Sequence, residues 1–170
     1  MIKGKIHIIL LVFLTGILVN SCGVYSFTGA SISPEVESVQ VKFFKNKADL
    51  VEPTLSQRFT NSLKEKFTSQ TNLDLVESQG DLVFEGHIKN YRTEPSAIQG
   101  DQTAALNRLT ITVFVKFTNK VNPDDNFEST FSHYREYTSD QSLSAVQDGL
   151  ITEINDALVE DIFNRAVVNW

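Results

Sequence analysis

Val39, Val41 and Phe43 alternate with Gln40, Lys42 and Phe44, and this period of two predicts a first strand with one apolar face. Leu55, Phe59, Leu63 and Phe67 then recur every fourth residue behind Pro53, with Arg58, Lys64, Glu65 and Lys66 around them, which predicts an amphipathic helix. Leu73 and Leu75 suggest a short strand that turns at "SQGD". In "LVFEGHIKNYR", Leu82, Phe84, Gly86 and Ile88 share one face of a strand and Val83, Glu85, His87, Lys89 and Tyr91 the other. Residues 92–103, with Pro95 and Gly100, lack periodicity and read as a loop. "LTITVFVKF" is the clearest strand, with Leu109, Ile111, Val113, Val115 and Phe117 inward. "NPDDN" at 122–126 turns it back into "FESTFSHYREY", whose two faces are both mixed. Leu143, Val146, Leu150, Ile154, Leu158, Ile162 and Val167 keep helical spacing in a long final helix, which Ser142 or Asp140 is placed to cap. This order predicts an α+β two-layer sandwich: a mainly antiparallel sheet of about four strands with both helices on one face.

The 170 residues fit one globular domain. Lys3 and Lys5 precede an apolar stretch over residues 6–19, which is shorter than the roughly 20 residues of a membrane span and has no basic stop behind it. A cleaved secretory signal is favoured over a retained anchor helix. Val19-Asn20-Ser21-Cys22 resembles a bacterial lipobox, in which an aliphatic residue, a tolerant position and a small residue precede the acylated cysteine. The alternative is an ordinary signal whose cleavage point falls beside a free thiol. Cys22 is the sole cysteine, so it has no internal disulfide partner. The expected division is a signal peptide over 1–21, a lipidated tether over 22–34 and a single domain over 35–170.

Loss of residues 1–21 leaves 13 basic against 21 acidic residues, a net charge of −8. The excess is uneven: residues 22–120 hold 11 of each sign, whereas residues 121–170 hold 2 basic and 10 acidic. Nucleic acid is thereby excluded as a partner. The chain offers no phosphate-cradling glycine loop, no Gly-x-Ser-x-Gly elbow and no HExxH. His87 and His133 fall in separate strands without metal-ligand spacing, so no metal, cofactor or catalytic residue is expected. Glu85 and His87 share a strand face but nothing there supplies a nucleophile. Phe163, Val167 and Trp170 keep helical spacing, which favours core over an aromatic contact to a partner.

The mature start, Cys22-Gly-Val-Tyr-Ser-Phe-Thr-Gly-Ala-Ser-Ile32, and the end, "DIFNRAVVNW", joined by this order of elements, resemble the LptE family of lipopolysaccharide-assembly lipoproteins. The likeness covers nearly the whole mature chain; the two ends carry it in residues and the middle in pattern. It implies acylation at Cys22, anchorage at the periplasmic face of the outer membrane, and a β-barrel translocon (LptD-like) that the domain plugs and helps to assemble. It also implies binding of lipopolysaccharide, whose phosphates and acyl chains call for bases mixed with exposed apolar groups. If the helices cover Ile88, Ile111 and Val113, the other sheet face presents Lys89, Tyr91, Arg108, Phe114 and Lys116, either as that surface or as an ordinary solvated face. Lys89, Arg108 and Lys116 are the candidate ligand-binding residues. The rival functions are a stand-alone lipoprotein for another envelope ligand and, less favoured, a periplasmic hydrolase.

Overall fold

The computed structural model describes residues 32–50, 52–96 and 106–167. The expected signal, Cys22, nearly all of the tether, the tip of the predicted loop and Trp170 lie outside them. The elements in chain order are β1 (Ser38–Val41), β2 (Lys45–Asn46), α1 (Leu55–Gln70), β3 (Asp74–Leu75), β4 (Leu82–Ser96), β5 (Leu106–Asn119), a 3-10 turn (Pro123–Asp125), β6 (Phe127–Thr138) and α2 (Leu143–Val167). One sheet runs in the order β3-β1-β4-β5-β6, and β2 extends the β1 edge by pairing with β4. The pairings of β1 with β3 and β4, and of β2 with β4, are parallel, whereas the long β4-β5 and β5-β6 ladders are antiparallel. The α+β two-layer arrangement is therefore as expected, with six strands rather than about four.

Both helices lie on one sheet face because their apolar stripes match it. Leu55, Phe59, Leu63 and Phe67 of α1 are fully buried, as are Ile154, Leu158 and Ile162 of α2. They meet Leu82, Phe84, Ile88, Leu109, Ile111, Val113, Val115 and Phe117 of β4 and β5. Phe67 joins the layers: its ring centroid lies 4.7 Å from that of Phe84 and 5.1 Å from that of Phe163. Phe163 and Val167 are core residues. Each buried phenyl contributes roughly 2–3 kcal/mol through area removed from water. Arg58 locks α1 to α2 through Asp148 Oδ1 at 2.9 Å and Thr152 Oγ1 at 2.7 Å.

Two irregularities change the faces from those the alternation predicts. Val41 pairs with Phe84 but Lys45 pairs with His87, so residues 42–44 hold one residue more than the opposite stretch of β4. The extra residue turns Lys42 and Phe43 outward together and sends Phe44 inward, where it is fully buried at 5.1 Å from the Phe59 ring. Phe43, predicted for the apolar face, is 51% exposed. On β4 the register shifts between Ile88 and Asn90, leaving Lys89 as a bulged residue. Past it Tyr91 pairs with Ile111 and is buried, so it belongs to the core and not to the outer face predicted for it.

The predicted loop over 92–103 is also corrected in part, since β4 continues to Ser96 paired with Leu106. The mixed faces of β6 resolve through α2. Phe127, Phe131, His133, Arg135 and Tyr137 face the helix, and Arg135 reaches Glu153 at 2.8 Å while His133 reaches Asp161 at 2.6 Å. Among the described residues β6 is paired on one side only.

Candidate functional site

The bare sheet face, opposite the helices, gathers Lys42 from the bulge after β1, Lys45 of β2 and Lys47 just past it, Lys89 of β4 and Lys116 of β5. Around the bulge at residues 42–44 an open cleft of about 380 Å³ is lined by Lys42, Phe43, Lys45, Lys47, Glu85, Gly86, Phe114 and Lys116. Lys45 lies in register with His87, and the His87 ring stands 5.4 Å from that of Phe114. Lys89 is exposed on the neighbouring bulge of the same face.

Gly86 makes this geometry possible. A Cβ there would overlap the carbonyl oxygen of Phe114 and approach Cε1 of Phe44 to 2.6 Å, so the close approach of β4 to β5 over the buried Phe44 needs glycine. With Phe44 held below, Phe43 is displayed above.

The cleft is electropositive on balance. Glu85 is engaged by Lys42 at 2.8 Å and Glu128 by Lys116 at 3.0 Å. The hydrogen bond to Glu128 holds the Lys116 pKa above the ordinary lysine value. Among the described residues, Lys45, Lys47 and Lys89 enter no ion pair, so five lysines face two carboxylates. Desolvation first, then Lys47 and Lys89, keeps the His87 pKa below the usual imidazole value. Mobile ammonium groups beside an exposed phenyl suit an anionic group with an attached apolar chain.

The three candidates from the sequence separate. Lys116 lines the cleft and Lys89 stands on the bulge near His87. Arg108 belongs to a different cluster farther along β5, where its Nη2 donates to Glu136 at 2.7 Å and its guanidinium stacks 4.1 Å from the Tyr134 ring. The sequence reading missed Lys42, Phe43, Lys45, Lys47 and His87. The run "KFFKNK" carried the signal, three bases around adjacent phenylalanines, but its strand register hid which phenylalanine is outside.

No acid–base pair forms at Glu85 and His87, since Glu85 turns to Lys42 and His87 to Phe114. Among the described residues no group of three or more His, Cys, Asp or Glu could hold a metal ion, and no helix is long and apolar enough to cross a membrane.

A solved minor lipoprotein from Acinetobacter baumannii superposes with a TM-score of 0.52 at 15% identity, covering 76% of this chain and 91% of that one. A protein from Xanthomonas campestris gives a TM-score of 0.53 at 10% identity, over 82% of this chain and 90% of its own. At these identities the likeness is one of fold. Comparison with curated proteins finds no match. Residues 36–166, from the last turn before β1 almost to the end of α2, match the profile of the LptE family, described as lipopolysaccharide-assembly. The chain therefore belongs to the LptE family of lipopolysaccharide-assembly lipoproteins.

Proposed function

We propose that this protein is an outer-membrane lipoprotein subunit of the lipopolysaccharide transport machinery, which plugs and helps to assemble a β-barrel translocon and binds lipopolysaccharide on its bare sheet face. Residues 1–21 act as the export signal, Cys22 takes the lipid, and residues 22–34 tether the domain over 35–170. One acyl chain holds a protein only marginally, at about 0.8 kcal/mol per buried methylene, so the two or three chains of a bacterial lipoprotein make attachment effectively permanent. The observation that carries the ligand reading is the cleft: Lys45 and Lys47 without carboxylate partners among the described residues, beside the half-exposed Phe43. Phosphates meet the lysines and acyl chains meet the phenyl rings.

Extraction in mild detergent tests the partner: a large outer-membrane barrel should copurify, and its absence favours a stand-alone lipoprotein for another envelope ligand. Cys22→Ala should leave the protein soluble or unprocessed, and a mature-sized, membrane-bound variant would refute lipidation. Reversing Lys89 and Lys116 together, Lys89→Glu with Lys116→Glu, should weaken lipopolysaccharide binding. Unchanged binding by the folded double variant would remove this face from consideration.

A further inference from the structure

One side chain beside the cleft, flanked by its lining residues Lys45 and Phe114, has a conditional charge. His87 stands on the outer face of β4, in register with Lys45 of β2 and Phe114 of β5. Lys45 of β2 lies opposite it in register, Lys47 and Lys89 act on its ring, and the other charged groups of this face are Glu85 two residues back on its own strand, Lys42 on the bulge before β2 and Lys116 of β5, which line the cleft beside it. The only carboxylate among these, Glu85, is held by Lys42 at 2.8 Å, and Glu128 on β6 is held by Lys116 at 3.0 Å. Among the described residues no free acid on this face favours a proton on the ring, and desolvation first, then Lys47 and Lys89, oppose one. An anion seated among Lys45, Lys47 and Lys116 reverses the potential at the imidazole.

We propose that His87 is a binding residue of the cleft that meets a phosphate of the ligand in its protonated form, so that seating the anion and taking one proton from solvent are a single coupled event. The inference rests on the reading of the cleft as a phosphate site, and the ligand class it names is a phosphate monoester with an apolar chain against Phe43 and Phe114. Its sign follows from linkage. Binding raises the ring's pKa above that of the empty cleft, so affinity is greatest below the free-state pKa and falls as pH rises through the bound-state value. The change is tenfold per unit by which the anion raises that pKa. The phosphate's own second ionisation, near about pH 6, works the other way by adding charge to the ligand as pH rises.

Two measurements on the acylated mature protein in detergent micelles decide the matter. Ring resonances of His87 and His133 are titrated in chloride and in sulfate at matched ionic strength, sulfate being a divalent anion throughout. Sulfate should raise the His87 midpoint and leave His133, on the helix-facing side of β6 against Asp161, where it was. An unmoved His87 overturns the proposal. Lipopolysaccharide affinity is then compared between about pH 6 and about pH 8. Relative to His87→Gln, the parent should gain about three- to tenfold on acidification, and His133→Gln should keep that gain. If parent and His87→Gln follow one pH profile, the coupling is absent although the ligand reading stands. If lipopolysaccharide binds at neither pH while sulfate moves His87, the coupling stands and the ligand reading fails.

Discussion

Gly86→Ala probes the packing that sets Phe44 below the sheet and Phe43 above it. The added methyl would overlap the Phe114 carbonyl oxygen and lie 2.6 Å from Cε1 of Phe44. Neither obstacle can yield cheaply. Phe114 sits within the β4-β5 ladder, paired with His87, and Phe44 is fully buried against Phe59. Overpacking a tight core costs about 1–3 kcal/mol, and two rigid obstacles at once place this site at about 3 kcal/mol. Against the roughly 5–15 kcal/mol that hold a domain together, that is a large fraction, equivalent to a fall in Tm of roughly 10 °C. Urea unfolding, followed by far-ultraviolet circular dichroism with the slope of the transition unchanged, reads the difference directly. A loss below about 1 kcal/mol would refute the reasoning, because it would mean that β4 can stand off from β5 at this point without penalty.

Phe67→Ala removes the ring shared by α1, β4 and α2 and should cost about 3–5 kcal/mol in the same assay. Asp81 accepts hydrogen bonds from the Ser38 hydroxyl and from the Glu37 and Ser38 amides, which lower its pKa from the ordinary carboxylate value. A depressed folded-state pKa stabilises above the unfolded value, so Asp81→Asn should lower Tm near neutral pH by an amount that shrinks as pH falls through the carboxylate range. Arg108 is neutralised by Glu136 and stacked on Tyr134, whereas Lys45 stands on the cleft, so Arg108→Ala should cost less lipopolysaccharide affinity than Lys45→Ala in equilibrium binding.

The two helices and β5 were legible because one repeating face decides each of them: the four-residue stripe from Leu55 to Phe67 and the alternation from Leu109 to Phe117 are buried as read. What could not be read has a common physical origin. An extra residue in a strand is a backbone event, so nothing in the residue types around Phe43, Phe44 or Lys89 announces that the pleat slips there. Tyr91 was placed on the wrong face for this reason, and of the cleft's lining only Phe114 and Lys116 were read as part of a binding face. The β6 pattern was obscured differently: His133 and Arg135 sit on the helix-facing side, where carboxylates of α2 pair with them, so the strand lacks clean alternation although its faces are distinct. The short parallel strands β2 and β3, two residues each, are defined by their partners more than by their own sequence.

The placement of those charges on β6 also bears on how the protein keeps to itself. Twelve residues long and paired on one side among the described residues, β6 offers a template onto which a stray strand could grow. Arg135 sets charge on the inward side of that edge, tied to Glu153 of α2, with His133 bonded to Asp161 beside it, and Glu128 and Glu136 set charge on the other side. An incoming strand would have to lay its apolar row over charges already fixed to a helix. The same ion pairs that fasten α2 to the sheet thus act as a guard against runaway sheet growth, so exchanging Arg135 and His133 for aliphatic residues would be paid for in aggregation rather than in fold.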